Sequence, residues 1–226
     1  MAKTAAPRAS RIFVLAGCNG AGKSSIGGAA FVRAGGAYFN PDAAAAQIAL
    51  ANAHQSRRMT REQINAAAWS EGKRLLERAI AGRLDFAFET TLGGNTIPEL
   101  LERAAGQGIA VNIWFVGLAT VELHLARVRK RVAKGGHDIP DAKIRERYRR
   151  SRENLVHLLP HLNALRLFDN SAEADPDRGK APMPRLLLDC RQGRIVAPTN
   201  LRNLVTGTPA WAKPIVVAAL KKHLMR

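Results

Sequence analysis

At 226 residues, 46% hydrophobic and 23% charged, the chain has the size and composition of one globular α/β domain spanning 1–226. That composition excludes fibrous, disordered and disulfide-rich classes, and no apolar run reaches the roughly 20 residues a bilayer span needs. A net charge of +17 predicts attraction to polyanions, with a solvated basic surface as the plain alternative.

Residues 12–16 (IFVLA) form a continuous apolar run, as expected of a central parallel strand buried on both faces. This run also belongs to the motif that follows it, which argues against a cleaved signal peptide. Residues 17–24 read G-C-N-G-A-G-K-S, the phosphate-loop pattern, followed by a predicted helix to about Arg33. Gly17, Gly20 and Gly22, with Asn19 and Ala21 between them, let the backbone turn its N–H groups onto phosphate. Lys23 is placed to reach the terminal phosphates of ATP, and Ser24 to ligate Mg²⁺ beside Ser25.

A short strand at 37–40 ends at Pro41-Asp42. Asp42 reads either as a general base for an acceptor hydroxyl or as the cap of a helix over 43–50. Thr60 and Gln63 form a capping box for a long helix to about Ala81. A third strand at 85–89 ends on Glu89, followed by Thr90 and Thr91. Glu89 is a candidate for metal or acceptor contact, or simply an exposed strand end. Thr96 with Glu99, and Pro98 between them, predict a second capped helix ending near Gly106.

A fourth strand is predicted at 109–116 and a helix at 120–134. Gly135-Gly136 then breaks the chain before a helix over about 140–159. Between 126 and 152 stand eleven Arg or Lys against three Asp or Glu, so this stretch alone carries 11 − 3 = +8. The position is where kinases carry a lid, and arginines there can neutralise a migrating phosphoryl group. A fifth strand at 165–169 precedes Asn170 and Ser171. An extension over about 184–226 contributes a hairpin (185–188 and 194–196, joined by Gln192-Gly193) and a closing helix at 211–224. The alternation predicts a three-layer α/β fold with a mostly parallel five-stranded sheet, whose ligands sit at the strand carboxyl ends. The two cysteines fit no metal spacing and point to a reduced, cytoplasmic protein.

The segments AGCNGAGKSS (16–25), YFNPD (38–42), FAFETTLGG (86–94), RVAKGGHDIPDAKIRERYRRSRENL (131–155) and FDNS (168–171) together resemble the zeta toxin family of P-loop kinases, particularly its shorter chromosomal, UDP-N-acetylglucosamine kinase-like members. The resemblance implies an enzyme using ATP and Mg²⁺ that phosphorylates a sugar hydroxyl of UDP-N-acetylglucosamine and is held in check by an antitoxin. It further implies Asp42 as general base and Lys23 as phosphate ligand. Glu89 and Thr91 would contact the acceptor, Arg131, Arg145 and Arg147 the phosphates, and Asn170 the region of the nucleotide base. A nucleic-acid-directed kinase or ATPase, suggested by the charge, is the competing expectation. Two tyrosines and three tryptophans give it little to stack bases on.

Overall fold

The structure is a computed structural model that describes residues 9–23, 26, 38–53, 59–136, 138–172 and 183–225. Ser24, Ser25 and most of the helix expected after the phosphate loop lie outside the described residues.

Seven strands form one sheet in the order β2-β3-β1-β4-β5-β6-β7. These are β1 (Arg11–Ala16), β2 (Tyr38–Phe39), β3 (Phe86–Thr90), β4 (Ala110–Gly117), β5 (Ala164–Asp169), β6 (Arg185–Arg191) and β7 (Arg194–Ala197). The first five in chain order pair in parallel, as the alternation predicts. The count differs from expectation because the C-terminal hairpin does not stand apart: β6 pairs antiparallel with β5 and extends the same sheet. Its turn is made by Gln192 and Gly193, both at positive φ, the conformation that suits a two-residue hairpin.

The helices are α1 (Pro41–Asn52), α2 (Arg61–Ala81), α3 (Thr96–Gly106), α4 (Val121–Val132), α5 (Asp141–Leu158), α6 (Leu201–Gly207) and α7 (Lys213–Leu224). The capping box at Thr60 and Gln63 forms. The one predicted at Thr96 does not. Asn95 occupies the cap position of α3, and its side chain accepts a hydrogen bond from Arg150 instead. The short helix α6 carries no long periodicity and went unpredicted; Asn200 caps it.

One face of the sheet packs against α2, α3, α5 and α7 through Leu76, Leu101, Leu158 and Ile215, all fully buried. A smaller cluster of Leu15, Ala21, Ala87 and Val116 lies on the other face. Burying side chains of this size contributes roughly 1.5–3 kcal/mol each. The hairpin and α7 supply Leu188, Trp211 and Ile215 to the main core. Trp211 packs so closely on Gly117 that a Cβ there would fall 2.2 Å from the indole. A third cluster joins Cys18 of the phosphate loop to Leu125, Val128 and Ile144 of α4 and α5. The basic helical pair is therefore packed onto the loop, and α5 continues from it into the core through Leu155 and Leu158.

Candidate functional site

The strand ends of β1, β2 and β3 open into a cavity of about 430 Å³. Asn19 and Lys23 line one end, and Asp42, Glu89 and Thr91 stand along it. Arg147, Arg150 and Lys143 come from α5, and Trp69 and Lys73 from α2.

The loop gets its shape from glycines that no other residue could replace. Gly17 has φ +142°, and a Cβ on it would lie 2.2 Å from the Val116 carbonyl oxygen. Gly22 has φ +83°, and its Cβ would collide with the Asn170 amide. Two basic helices brace the loop from outside. The Asn19 carbonyl accepts a 2.7 Å hydrogen bond from His124 Nδ1, and the Asn19 side chain accepts one from Arg147 at 2.9 Å. His124 is 1% exposed; burial and nearby cations hold its pKa down at about 4, so it braces the loop as a neutral ring. Cys18 is also sealed in, and burial pushes its thiol up to about 11.

Lys23 folds back so that Nζ donates to the Gly17 carbonyl at 2.9 Å. Burial depresses its pKa, while Glu89, Cys18 and Asp42 pull it upward. A half-buried ammonium beside glycine N–H groups suits a polyphosphate, whose charge would restore what burial takes away.

Glu89 is 7% exposed, so it is not the solvated strand end that was one expectation. Its Oε1 accepts from the Tyr38 hydroxyl and from Asn40 Nδ2, the latter at 3.1 Å. Asp42 does not cap α1. Asn40 does, with Oδ1 accepting from the backbone N–H groups of Asp42 (2.8 Å) and Ala43 (3.2 Å). This leaves the Asp42 carboxylate in the first turn of α1, 69% exposed and ion-paired to Arg131 of α4 at 3.5 Å.

Of the three predicted lid arginines, Arg147 lines the cavity and Arg131 reaches its edge through Asp42. Arg145 does not enter it; its guanidinium pairs with Glu122 at 3.0 Å on an exposed surface. Asn170 is buried and donates to the Ala21 carbonyl at 2.9 Å, so it buttresses the loop from beneath. Thr91 lines the cavity, and its hydroxyl accepts from the Gly93 backbone N–H.

Sequence reasoning missed several members. Asn40 was legible in principle, since Asn followed by Pro signals a helix start. Arg150 was counted only within the charge. Lys73 and Trp69 sit one turn apart on α2 and give no local sign that they face the site.

Comparison with known proteins gives the same picture. A family model described as zeta toxin matches residues 2–174. An uncharacterized protein of Haemophilus influenzae is 31% identical over 135 residues, covering 58% of this chain and 88% of that protein. Among solved structures, the AvrRxo1-ORF1:AvrRxo1-ORF2 complex with sulphate ions is similar at 16% identity and TM-score 0.63, covering 96% of this chain and 77% of that one. The same complex has been solved with ATP, at 15% identity and the same TM-score. The PezAT chromosomal toxin–antitoxin system of Streptococcus pneumoniae is similar at 16% identity and TM-score 0.55, covering 99% of this chain and 91% of that one. Together with the loop and the sheet order, the family match over most of the chain establishes that this protein belongs to the zeta toxin family and has its P-loop kinase fold.

Proposed function

We propose that the chain, as one domain, is an ATP-dependent phosphotransferase that moves the γ-phosphate of ATP to a hydroxyl of a small acceptor. One observation carries the reading: a single cavity lined by Lys23 at the phosphate loop, Asp42 and Glu89 at the strand ends, and Arg147 from the basic helix. Asp42 takes the proton from the acceptor hydroxyl as its oxygen forms the bond to phosphorus. The bond from phosphorus to the β–γ bridging oxygen breaks, and ADP leaves. Lys23 and Arg147 stabilise the charge on the phosphates, and Arg131 leaves Asp42 for them as the nucleotide enters. Arg145 lies outside the cavity and is given no part in the transfer.

For Mg²⁺, the residues available are Glu89, a buried carboxylate on the cavity wall, and Ser24 next to Lys23. Hard oxygen donors of this kind are what the ion takes. When bound, it would neutralise charge between the phosphates.

The far end of the cavity supports an anionic acceptor with a flat ring. Trp69 is half exposed on its wall, with Lys73 one turn along α2, and Arg150 and Lys143 of α5 line the same cavity. A UDP-amino sugar such as UDP-N-acetylglucosamine has both features and is the first acceptor to test. Likeness to a toxin–antitoxin system supports an antitoxin partner, and we place the protein in the cytoplasm. No helix among the described residues is long and apolar enough to cross a membrane.

A second reading, transfer to polynucleotide, draws on the C-terminal segment, where residues 183–225 hold seven Arg or Lys against Asp189 alone. The test offers γ-labelled ATP and Mg²⁺ to UDP-N-acetylglucosamine and, separately, to short RNA and DNA. A labelled sugar nucleotide is expected. Labelled polynucleotide instead would favour the second reading, and no labelled product from any acceptor would contradict the proposed activity.

A further inference from the structure

We propose that Asn40 is a positioning residue that fixes Asp42 and Glu89 in one frame, with Tyr38 as its helper. The inference rests on the reading of Asp42 as general base and adds a determinant of its placement.

The helix α1 lies against α2, but none of its twelve residues is buried, so it sends no side chain into the core. The strand that delivers it, β2, pairs with β3 over two residues only, Tyr38 with Ala87 and Phe39 with Phe88. The Asp42 carboxylate itself is mostly exposed, and its one ion pair among the described residues is to the basic helical pair rather than to the sheet. Left to these contacts, the base could shift by an ångström, and a displacement of that size costs about 10²-fold in rate.

Asn40 supplies the missing restraint with both ends of one amide. Its Oδ1 holds the first turn of α1 by accepting from Asp42 and Ala43 N–H, and its Nδ2 donates to Glu89 Oε1. Glu89 is buried at the end of β3, where its backbone is in register with Leu15 of β1. The Tyr38 hydroxyl donates to the same Oε1. Three residues thus tie α1 to the central sheet at the point where the chemistry needs it.

Asparagine is the side chain this task requires. Serine and aspartate cap a helix as well as asparagine does, but aspartate has no proton to donate, and the single Oγ of serine, on a side chain one atom shorter, cannot hold the cap and reach Glu89 as the two separate ends of the amide do. This separates positioning from capping. In Asn40→Ser the cap stays and the Nδ2 that reaches Glu89 is lost; in Asn40→Asp the cap stays and a carboxylate faces Glu89.

The experiment measures kcat, KM for ATP and melting temperature for wild type, Asn40→Ser and Asn40→Asp. Expected are a kcat lowered about 10–100-fold in Asn40→Ser and further in Asn40→Asp, with KM for ATP within about twofold and Asn40→Ser melting no more than about 4 °C below wild type. Wild-type kcat in both variants would overturn the proposal, because a mere cap survives both changes. A second readout needs no activity. In a double-mutant cycle of Asn40→Ser with Glu89→Ala on urea unfolding, we expect the two changes to be coupled by about 3–10-fold in the unfolding equilibrium constant. Full additivity would overturn it. Should wild type phosphorylate none of the acceptors offered, the proposed function fails while this cycle still decides the role of Asn40.

Discussion

The two ends of the cavity are built in different ways. The phosphate end is one run of backbone, Gly17 to Lys23, shaped by three glycines at positive φ and braced by His124, Arg147 and Asn170. The acceptor end is assembled from side chains on β3, α1, α2 and α5, which lie up to about a hundred residues apart in sequence. The first kind of site binds whatever carries a polyphosphate; the second decides what receives the phosphate. The difference predicts that loop changes remove binding and turnover together, whereas changes at the other end separate them.

The largest effect is expected at Lys23. Lys23→Ala removes the cation that meets the terminal phosphates, and both ATP binding by calorimetry and turnover should be lost. Next is Arg147→Ala, which cuts the link from α5 to Asn19 as well as a cavity cation. Transfer should fall on the order of 10²-fold, with a smaller loss in ATP affinity. An effect of equal size on both would place Arg147 with the loop rather than between the two ends. Lys73→Ala touches only the far end: KM for an anionic acceptor should rise about tenfold while kcat and KM for ATP hold.

How much of this was legible in the sequence follows the same division. The loop announced itself because its function is local: the glycine spacing, Lys23 and the preceding apolar strand are contiguous. The five parallel strands were legible from alternation for the same reason. The acceptor end was not, because Trp69 and Lys73 become site residues only when α2 packs beside β3, and nothing in their local pattern distinguishes them from a solvated face. Charge counting was coarse in a related way: of the basic residues in 126–152, Lys143, Arg147 and Arg150 line the cavity, while Arg129, Arg145 and Arg149 pair with Asp141, Glu122 and Glu153, and the count gives no sign of which do which. Capping was misread where a stronger demand intervened, since Asn95 gives its side-chain oxygen to Arg150 rather than to the helix start.

A separate effect, on stability rather than on turnover, concerns the brace on the loop. His124 is neutral in the fold, with its pKa near 4 against an ordinary 6.5, so protonation favours the unfolded chain. The stability it contributes is present above pH 6.5 and lost as pH falls toward 4, by up to about 3 kcal/mol. Melting curves across that window should fall more steeply for wild type than for His124→Gln; parallel curves would contradict the neutral brace.

The central claim, that Asp42 acts on the acceptor while ATP is held without it, is tested most directly by Asp42→Asn. Calorimetry with ATP and Mg²⁺, paired with single-turnover transfer to the acceptor that wild type labels, gives the two quantities side by side. The account predicts ATP affinity within about twofold of wild type and transfer lower by about 10³-fold or more. Transfer near the wild-type rate would contradict it.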